Sequence, residues 1–264
     1  MLIAQISDFH VVAPGRRAYG RLDTGSLLRR AVALLNGINP QPDLVIGSGD
    51  LAQSGDTAEY EEVTAILAGL RAPFAPAAGN HDHRGRLRAA FPSRFTSSDS
   101  LPFLQYAVPV GTLEVIILDS VTEGSDEASF CTARAAWLDQ HLAGSVGPCL
   151  LVTHHPPFRT GIAGMDPPTL DWTIRLGHVI ADHPGKVVGI MSGHIHRAIH
   201  TSVFGVPSSS CPSTAHQVVP DFGATDLMFS EEAPGFQLHR WEDECLRTYT
   251  ASFERFDVRF RPAG

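Results

Sequence analysis

Short apolar runs recur along this chain, and five of them end abruptly in a polar cluster. Leu2-Ile3-Ala4-Gln5-Ile6 reads as a buried strand that delivers Asp8-Phe9-His10. From Ser26 to Ile38 the apolar positions Leu27, Leu28, Ala31, Leu34, Leu35 and Ile38 repeat with a helical period. Asp43 to Ser48 is the next strand and ends in Gly49-Asp50. Asp56, with Glu59 three residues on, has the form of a capping box and opens a helix running to about Leu70. The third apolar run, Pro73 to Ala78, leads into Gly79-Asn80-His81-Asp82. Strand, helix, strand, helix, strand is the signature of parallel α/β structure.

The pattern then changes. Phe103–Val110 and Leu113–Leu118 flank Gly111-Thr112 as a hairpin, and Thr132–Leu142 is helical with Trp137, Leu138 and His141 on one side. Cys149–Thr153 is a strand ending in His154-His155-Pro156-Pro157. Asp171–Asp182 is a helix, and Lys186–Met191 a strand ending in Gly193-His194-Ile195-His196. Beyond it, Ile199–Phe204 and Gly235–Trp241 are strands joined by a Ser- and Pro-rich connection, and Cys245–Phe256 is a weakly alternating final arm. A mixed sheet, or a pair of sheets, flanked by helices is the architecture this implies.

Five polar clusters at five strand ends converge if the strands share a sheet, and their residue types suit metal ions. Carboxylate, imidazole and amide oxygen are ligands for hard or borderline divalent cations, and the clusters contain no thiolate. Asp50 can bridge two ions with its two oxygens. Asp8, His10 and one histidine of the last cluster complete one ion; Asn80, one of His154 and His155, and the other late histidine complete the second. Alternation along a strand turns His154 and His155 to opposite sides, and we assign His155, which directly precedes the proline. Two such ions clamp a phosphoryl group for in-line attack, and the positive charge left after two carboxylates and a hydroxide suits a singly charged phosphodiester. Any one of these residues alone has a blander role: a lone Asp8 or Asp50 caps a helix, and a lone Asn80 sits in a turn. It is the joint occurrence that carries the metal reading.

The bulk composition narrows the class further. The chain has 264 residues, room for one large domain or one domain plus an appendage. A net charge of −8 argues against a nucleic-acid polymer as partner. No apolar run is long enough to span a bilayer, and no basic leader precedes the first strand, so a cytoplasmic protein is expected. Cys131, Cys149, Cys211 and Cys245 lack metal-ligand spacing and read as buried free thiols. Arg16, Arg17, Arg84 and Arg159 follow the clusters in loops and are candidates to reach a phosphate, with solvated surface as the plainer reading; Phe158 and Met165 are candidates for an apolar wall.

Taken in order, Asp-x-His, Gly-Asp, Gly-Asn-His-Asp, His-His-Pro-Pro and Gly-His-x-His resemble the signature of the calcineurin-like metallophosphoesterases. Their spacing, with Gly164-Met165-Asp166-Pro167 and His216-Gln217-Val218, is most similar to the bacterial glycerophosphodiesterase and class III cyclic-nucleotide phosphodiesterase group. The resemblance implies a four-layer α/β/β/α sandwich with a dinuclear core over residues 1–198. A segment over 199–264 would complete the core and cap the site or form a subunit contact. It implies Asp8, His10, Asp50 and His196 at one metal and Asp50, Asn80, His155 and His194 at the other, the ions being Mn, Fe, Zn or Co. A metal-bridging hydroxide would be the nucleophile, with Asp50 and Asn80 in the catalytic centre. His81 would contact the phosphate and protonate the leaving alkoxide; Asn80 and His216 would lie at the substrate.

The activity so implied is hydrolysis of small phosphodiesters, glycerophosphodiesters first and 3′,5′-cyclic nucleotides second. The loops at 11–22, 84–102 and 156–170 and the segment after His200 would set selectivity. A non-catalytic scaffold of the same fold should have lost ligands, and none is missing. A nuclease would want a basic groove. Phe222, Phe229, Phe236, Trp241, Tyr249, Phe253, Phe256 and Phe260 make the region from about Ile199 to Gly264 dense in aromatics. They either pack on the core or, as the resemblance implies, contribute to a homodimer or higher oligomer.

Overall fold

The computed structural model describes residues 1–95, 102–254 and 256; Phe260 and part of the 84–102 loop lie outside the described residues. In chain order the elements begin with β1 (Leu2–Ile6), α1 (Thr24–Asn36), β2 (Leu44–Gly47), α2 (Thr57–Leu67), β3 (Phe74–Pro76) and α3 (Arg84–Ala90). They continue with β4 (Tyr106–Val110), β5 (Leu113–Ile117), β6 (Val121–Thr122), β7 (Ser125–Ala128), α4 (Thr132–Gly144), β8 (Cys149–Val152), α5 (Trp172–Asp182) and β9 (Val187–Ser192). The last are β10 (Ile199–Val203), β11 (Val206–Ser210), β12 (Gln217–Val218), β13 (Phe229–Ser230), β14 (Gly235–Glu242) and β15 (Cys245–Ser252).

Two larger sheets form the centre, with orders β15-β14-β1-β2-β3 and β10-β11-β9-β8-β5-β4. The strands that carry the clusters run parallel within each sheet: β1 pairs β2 and β2 pairs β3, while β8 pairs β9. Their carboxyl ends therefore open at one edge, the place where open α/β sheets bind ligands.

The alternation of each strand explains the layering. Ile3, Leu44, Ile46 and Ala75 of the first sheet meet Val115, Ile117, Leu150, Val152 and Met191 of the second in one apolar cluster. On the far face of the first sheet, Ala4, Ile6 and Val45 pack against Leu28, Ala31 and Leu35 of α1 and Tyr60, Val63 and Leu67 of α2. On the far face of the second, Ile116, Leu151 and Ile190 meet Leu138 and Leu142 of α4 and Leu176 and Ile180 of α5. The result is the expected α/β/β/α order. Each fully buried aliphatic side chain in these clusters stabilises the fold by about 1.5–3 kcal/mol. The capping box at α2 is present: the Glu59 carboxylate accepts from Ser54 N at 2.8 Å and from Asp56 N at 3.2 Å.

The last quarter is threaded through both sheets. β14 lies antiparallel to β1, between β1 and β15, and β11 lies parallel to β9. Phe236 and Phe253 are buried, while Phe222 is 72% exposed. No disulfide forms; Cys149 and Cys211 are buried as expected, but Cys245 is exposed, because it opens an edge strand. Among the described residues no helix is long and apolar enough to cross a membrane.

Candidate metal centre

β1 and β2 end before their clusters, so Asp8, His10 and Asp50 sit on the loops that follow. Asp8, His10, Asp50, His194 and His196 all have left-handed backbone, with φ of 53°, 47°, 51°, 69° and 53°. Non-glycine residues held this way cost roughly 1–3 kcal/mol each and gather at functional sites. The strain is held by cross-bracing: Asp8 N donates to Gly49 O, His10 N to Asp50 O, and His194 N to Asp8 Oδ1, each at 3.0 Å. Gly79 has to be glycine because a Cβ there would overlap the Asp50 carboxylate and backbone nitrogen. Asp82 ties the two loops together, its carboxylate accepting from Gly79 N (2.9 Å), Leu51 N and Ala52 N (3.2 Å each) and the Tyr60 hydroxyl (3.0 Å).

Asp50 stands between two groups of donors. On one side, its Oδ2 lies 3.7 Å from His10 Nε2, which is 3.1 Å from His196 Nε2; that ring nitrogen is 3.4 Å from Asp8 Oδ1. On the other, Asp50 Oδ2 lies 3.4 Å from His154 Nε2. Asn80 Oδ1 is 2.9 Å from His154 Nε2 and 3.1 Å from His194 Nδ1. Asp50 Oδ1 also accepts from His81 N at 2.9 Å. The structure thus brings Asp8, His10, Asp50, Asn80, His194 and His196 together as their spacing predicts.

The histidine pair differs from expectation. β8 ends at Val152, so strand alternation no longer governs residues 154 and 155. Their rings lie 5.1 Å and 4.6 Å from that of His194, and both enter the centre. His154 donates through Nδ1 to Ser48 O at 2.9 Å, which aims Nε2 at Asp50 and Asn80. His155 bonds Ser120 Oγ through Nδ1 at 2.8 Å and leaves a buried Nε2 without a partner. His154, set aside on alternation, therefore belongs to the centre, and it rather than His155 faces Asp50.

His81 lines the adjoining cavity, its Nδ1 donating to Gln53 O at 2.7 Å. His216, expected at the substrate, is instead 1% exposed and absent from the cavity wall. It packs among the rings of His10, Tyr19, His196 and Phe229 at 4.5–5.2 Å, with neither ring nitrogen hydrogen-bonded. The strand pattern carried no sign of this aromatic nest, since Tyr19 and Phe229 come from loop and hairpin. Also unforeseen is Asp126, whose Oδ1 accepts from Asn80 Nδ2 at 2.9 Å and so orients the amide.

The electrostatics suit cations. Burial pushes Asp8 up to about 7, aided by the Asp50 charge and opposed by His154. Burial also raises Asp50, but the His154 ring outweighs it and holds the carboxyl well below its usual range. Burial would lower His154, yet Asp50 lifts it to about 9, so positive charge is stabilised at that ring. Burial lowers His194 to about 3 and His196 to about 4, and takes His10 and His155 well below the usual imidazole range. The neutral imidazoles of His10, His194 and His196, converging on the buried carboxylates of Asp8 and Asp50, are a donor set that fits divalent metal.

A cavity of about 300 Å³ opens over the centre. Phe158 and Met165 line it as foreseen. Among the described residues no arginine or lysine does. Arg84 is instead paired with Asp119 at 2.7 Å, and Arg159 donates to Pro167 O and Pro168 O at 3.0 and 2.8 Å.

A layered pair of sheets with this centre at the strand ends is the architecture of a metallophosphoesterase, and the chain belongs to the calcineurin-like phosphoesterase family, whose model matches residues 1–198. It is 36% identical to a probable cyclic nucleotide phosphodiesterase of Rhodopseudomonas palustris, over 89% of this chain and 84% of the relative. It is 31% identical to a probable glycerophosphodiester phosphodiesterase of Arcobacter nitrofigilis, over 97% and 95% of the two chains. A dimetal phosphatase from Danio rerio shares the fold, with a TM-score of 0.71 over 96% of each chain at 15% identity.

Proposed function

We propose that this protein hydrolyses small phosphodiesters with two divalent cations, and the observation that carries the reading is the position of Asp50 between two donor groups. Asp8, His10, Asp50 and His196 would hold one cation; Asp50, Asn80, His154 and His194 would hold the other, with His154 replacing the His155 expected from sequence. Mn, Fe, Co and Zn all accept these ligands. When bound, such a pair supplies Lewis acidity and lowers the pKa of water. The chain's own residues do the rest. Asp82 and Gly79 keep the Asp50 and Asn80 loops in contact. His81, pinned through Nδ1 to Gln53 O, would use its other ring nitrogen as the proton donor for the leaving alkoxide; burial lowers its pKa, but Asp50, the Gln53 carbonyl and Asp82 together raise it above the usual value.

Relatives named for cyclic nucleotides and for glycerophosphodiesters support a diester substrate, and we place glycerophosphodiesters first. The same reading includes a cytoplasmic homodimer in which residues 199–264 reach the cavity mouth. The exposed Phe222, Leu227 and Met228 support that contact, as does the place of Leu227 and Phe229 on the cavity wall. The test is turnover of bis(p-nitrophenyl) phosphate by metal-stripped protein before and after adding manganese, with p-nitrophenyl phosphate alongside. Activity restored by metal and greater on the diester is expected. Folded protein inert with Mn, Fe, Co and Zn alike would end the proposal.

A further inference from the structure

Ile3, Leu44 and Ile46 fill the space between the two sheets with apolar side chains. The residues that follow them at a spacing of two are polar: Gln5 and Ser7 after Ile3, and Ser48 after Ile46. All three are fully buried. So is His239, the register partner of Ile3 on β14.

These four side chains form one line of hydrogen bonds, and two groups that only accept fix its direction: the Ser192 carbonyl and the Asp8 carboxylate. Gln5 Nε2 donates to Ser192 O at 2.9 Å and to Ser48 Oγ at 2.8 Å, which turns Gln5 Oε1 to His239 Nε2 at 3.0 Å. His239 therefore carries its proton on Nε2, and its Nδ1 accepts from Thr248 Oγ1 at 2.9 Å. Ser48 Oγ, having accepted from Gln5, donates to Ser7 Oγ at 2.7 Å. Ser7 donates to the Asp8 carboxylate, a bond that opposes the effect of burial on that group. Gly193 closes the junction: a Cβ there would overlap Ser7 Oγ and stand 3.0 Å from Asp8 Oδ2. Every donor points the same way, from Thr248 on the edge strand β15 through β14 and β1 to Asp8.

Packing alone gives no reason for such a line. Apolar groups of the same shape in place of both partners of a buried hydrogen bond are nearly neutral for stability. Losing one partner strands the others, so a buried network is sensitive to each member. Its end point supplies the reason. Asp8 Oδ1 faces His196 Nε2 at 3.4 Å and accepts from His194 N at 3.0 Å. Hydrogen bonds to a ligating carboxylate fix its orientation and tune metal affinity. Resting on the two-cation reading above, we infer that Gln5 and His239 are positioning residues for the cation held by Asp8, His10, Asp50 and His196, acting through Ser48 and Ser7 on the Asp8 carboxylate. Neither lines the cavity, so neither acts by touching substrate there.

Gln237 supplies the control. It is the register partner of Gln5 and equally buried, but donates to Ser210 O at 3.0 Å and Thr250 Oγ1 at 3.2 Å, outside the line that ends at Asp8. Manganese binding is measured by chelator competition for wild type, Gln5→Met, His239→Leu, His239→Gln and Gln237→Met, with melting curves alongside. Gln5→Met should weaken one of the two cations by about ten-fold. His239→Leu should cost less, about three-fold, and add nothing to Gln5→Met in the double variant, because the line is already cut. His239→Gln keeps a donor for Gln5 Oε1 and should hold wild-type affinity. Gln237→Met should lower Tm and leave manganese affinity alone. If Gln5→Met does not fold, Ser48→Ala cuts the same line nearer Asp8 and answers in its place. Unchanged affinity in Gln5→Met and His239→Leu, additive losses in the double variant, or an equal loss in Gln237→Met would overturn the inference and leave the two-cation reading standing. A wild-type protein that binds no divalent cation would remove both.

Discussion

Replacing Asp119 by alanine should destabilise this protein although its carboxylate lies outside the donor groups around Asp50. Its carboxylate is fully buried beside two guanidinium groups that are nearly so, Arg84 at 13% and Arg134 at 4% side-chain exposure. Arg84 donates to it through Nε at 2.7 Å and Nη2 at 3.0 Å, and the backbone nitrogens of Leu104 and Val121 donate at 2.9 Å each. Removing one side of a buried ion pair strands the other charge, at a cost of about 3–5 kcal/mol. For a chain of this size each kcal/mol moves Tm by about 2–4 °C, so a fall of roughly 6–20 °C is expected. Circular dichroism melts and urea titrations of Asp119→Ala, Arg84→Met and the double variant measure it. The double variant should recover part of the loss, since it no longer buries the Arg84 charge. Because Ser120, next in sequence, holds His155, diester turnover should fall as well. A Tm change under about 2 °C, or strictly additive variants, would refute the reasoning.

Two further outcomes follow from local geometry. Gly79→Ala would place a Cβ 2.8 Å from Asp50 Cγ and closer still to its backbone nitrogen. Turnover should drop by about a hundred-fold, as displacements of an ångström do. Gly144→Ala, with nothing within 4 Å of the added methyl, should leave kcat/KM alone; equal effects of the two substitutions would contradict the close-approach argument. His239 is fully buried, with Nε2–H donating to Gln5 Oε1 at 3.0 Å and Nδ1 accepting from Thr248 at 2.9 Å. Burial, with His200 nearby, lowers its pKa from 6.5 to about 3. The unfolded chain thus binds the proton first as pH falls, and the stability contribution present above pH 6.5 is lost towards pH 3. At pH 5 the loss from this residue is roughly 2 kcal/mol. Urea titrations at pH 7.5 and 5.0 should show His239→Gln with that much less pH dependence than wild type; identical slopes would show that the ring is not held neutral.

The sequence made the parallel core legible because β1, β2, β8 and β9 are buried on both faces and read as unbroken apolar runs. Their polar exits had no packing explanation, and the centre followed. What stayed hidden lacks that contrast. β11 is Val-Pro-Ser-Ser-Ser, whose buried serines bond the fold internally, as Ser210 Oγ does to Arg197 O at 2.7 Å. Nothing apolar marks such a strand. β7 is Ser-Asp-Glu-Ala and α3 has a single buried residue, Leu87, so both read as loop. The antiparallel insertion of β14 beside β1 joins residues over two hundred positions apart, which no local period reports. The preference for His155 over His154 rested on alternation carried past Val152, where the strand has already ended.

The central claim is a pair of cations sharing Asp50, with His154 on the second. Metal content per folded chain, measured by elemental mass spectrometry after manganese reconstitution and gel filtration, addresses it directly. About two equivalents are expected for wild type and about one for His154→Ala, with His155→Ala closer to wild type. A wild-type protein that retains no metal, or a His154→Ala variant that still holds two while His155→Ala loses one, would contradict the account.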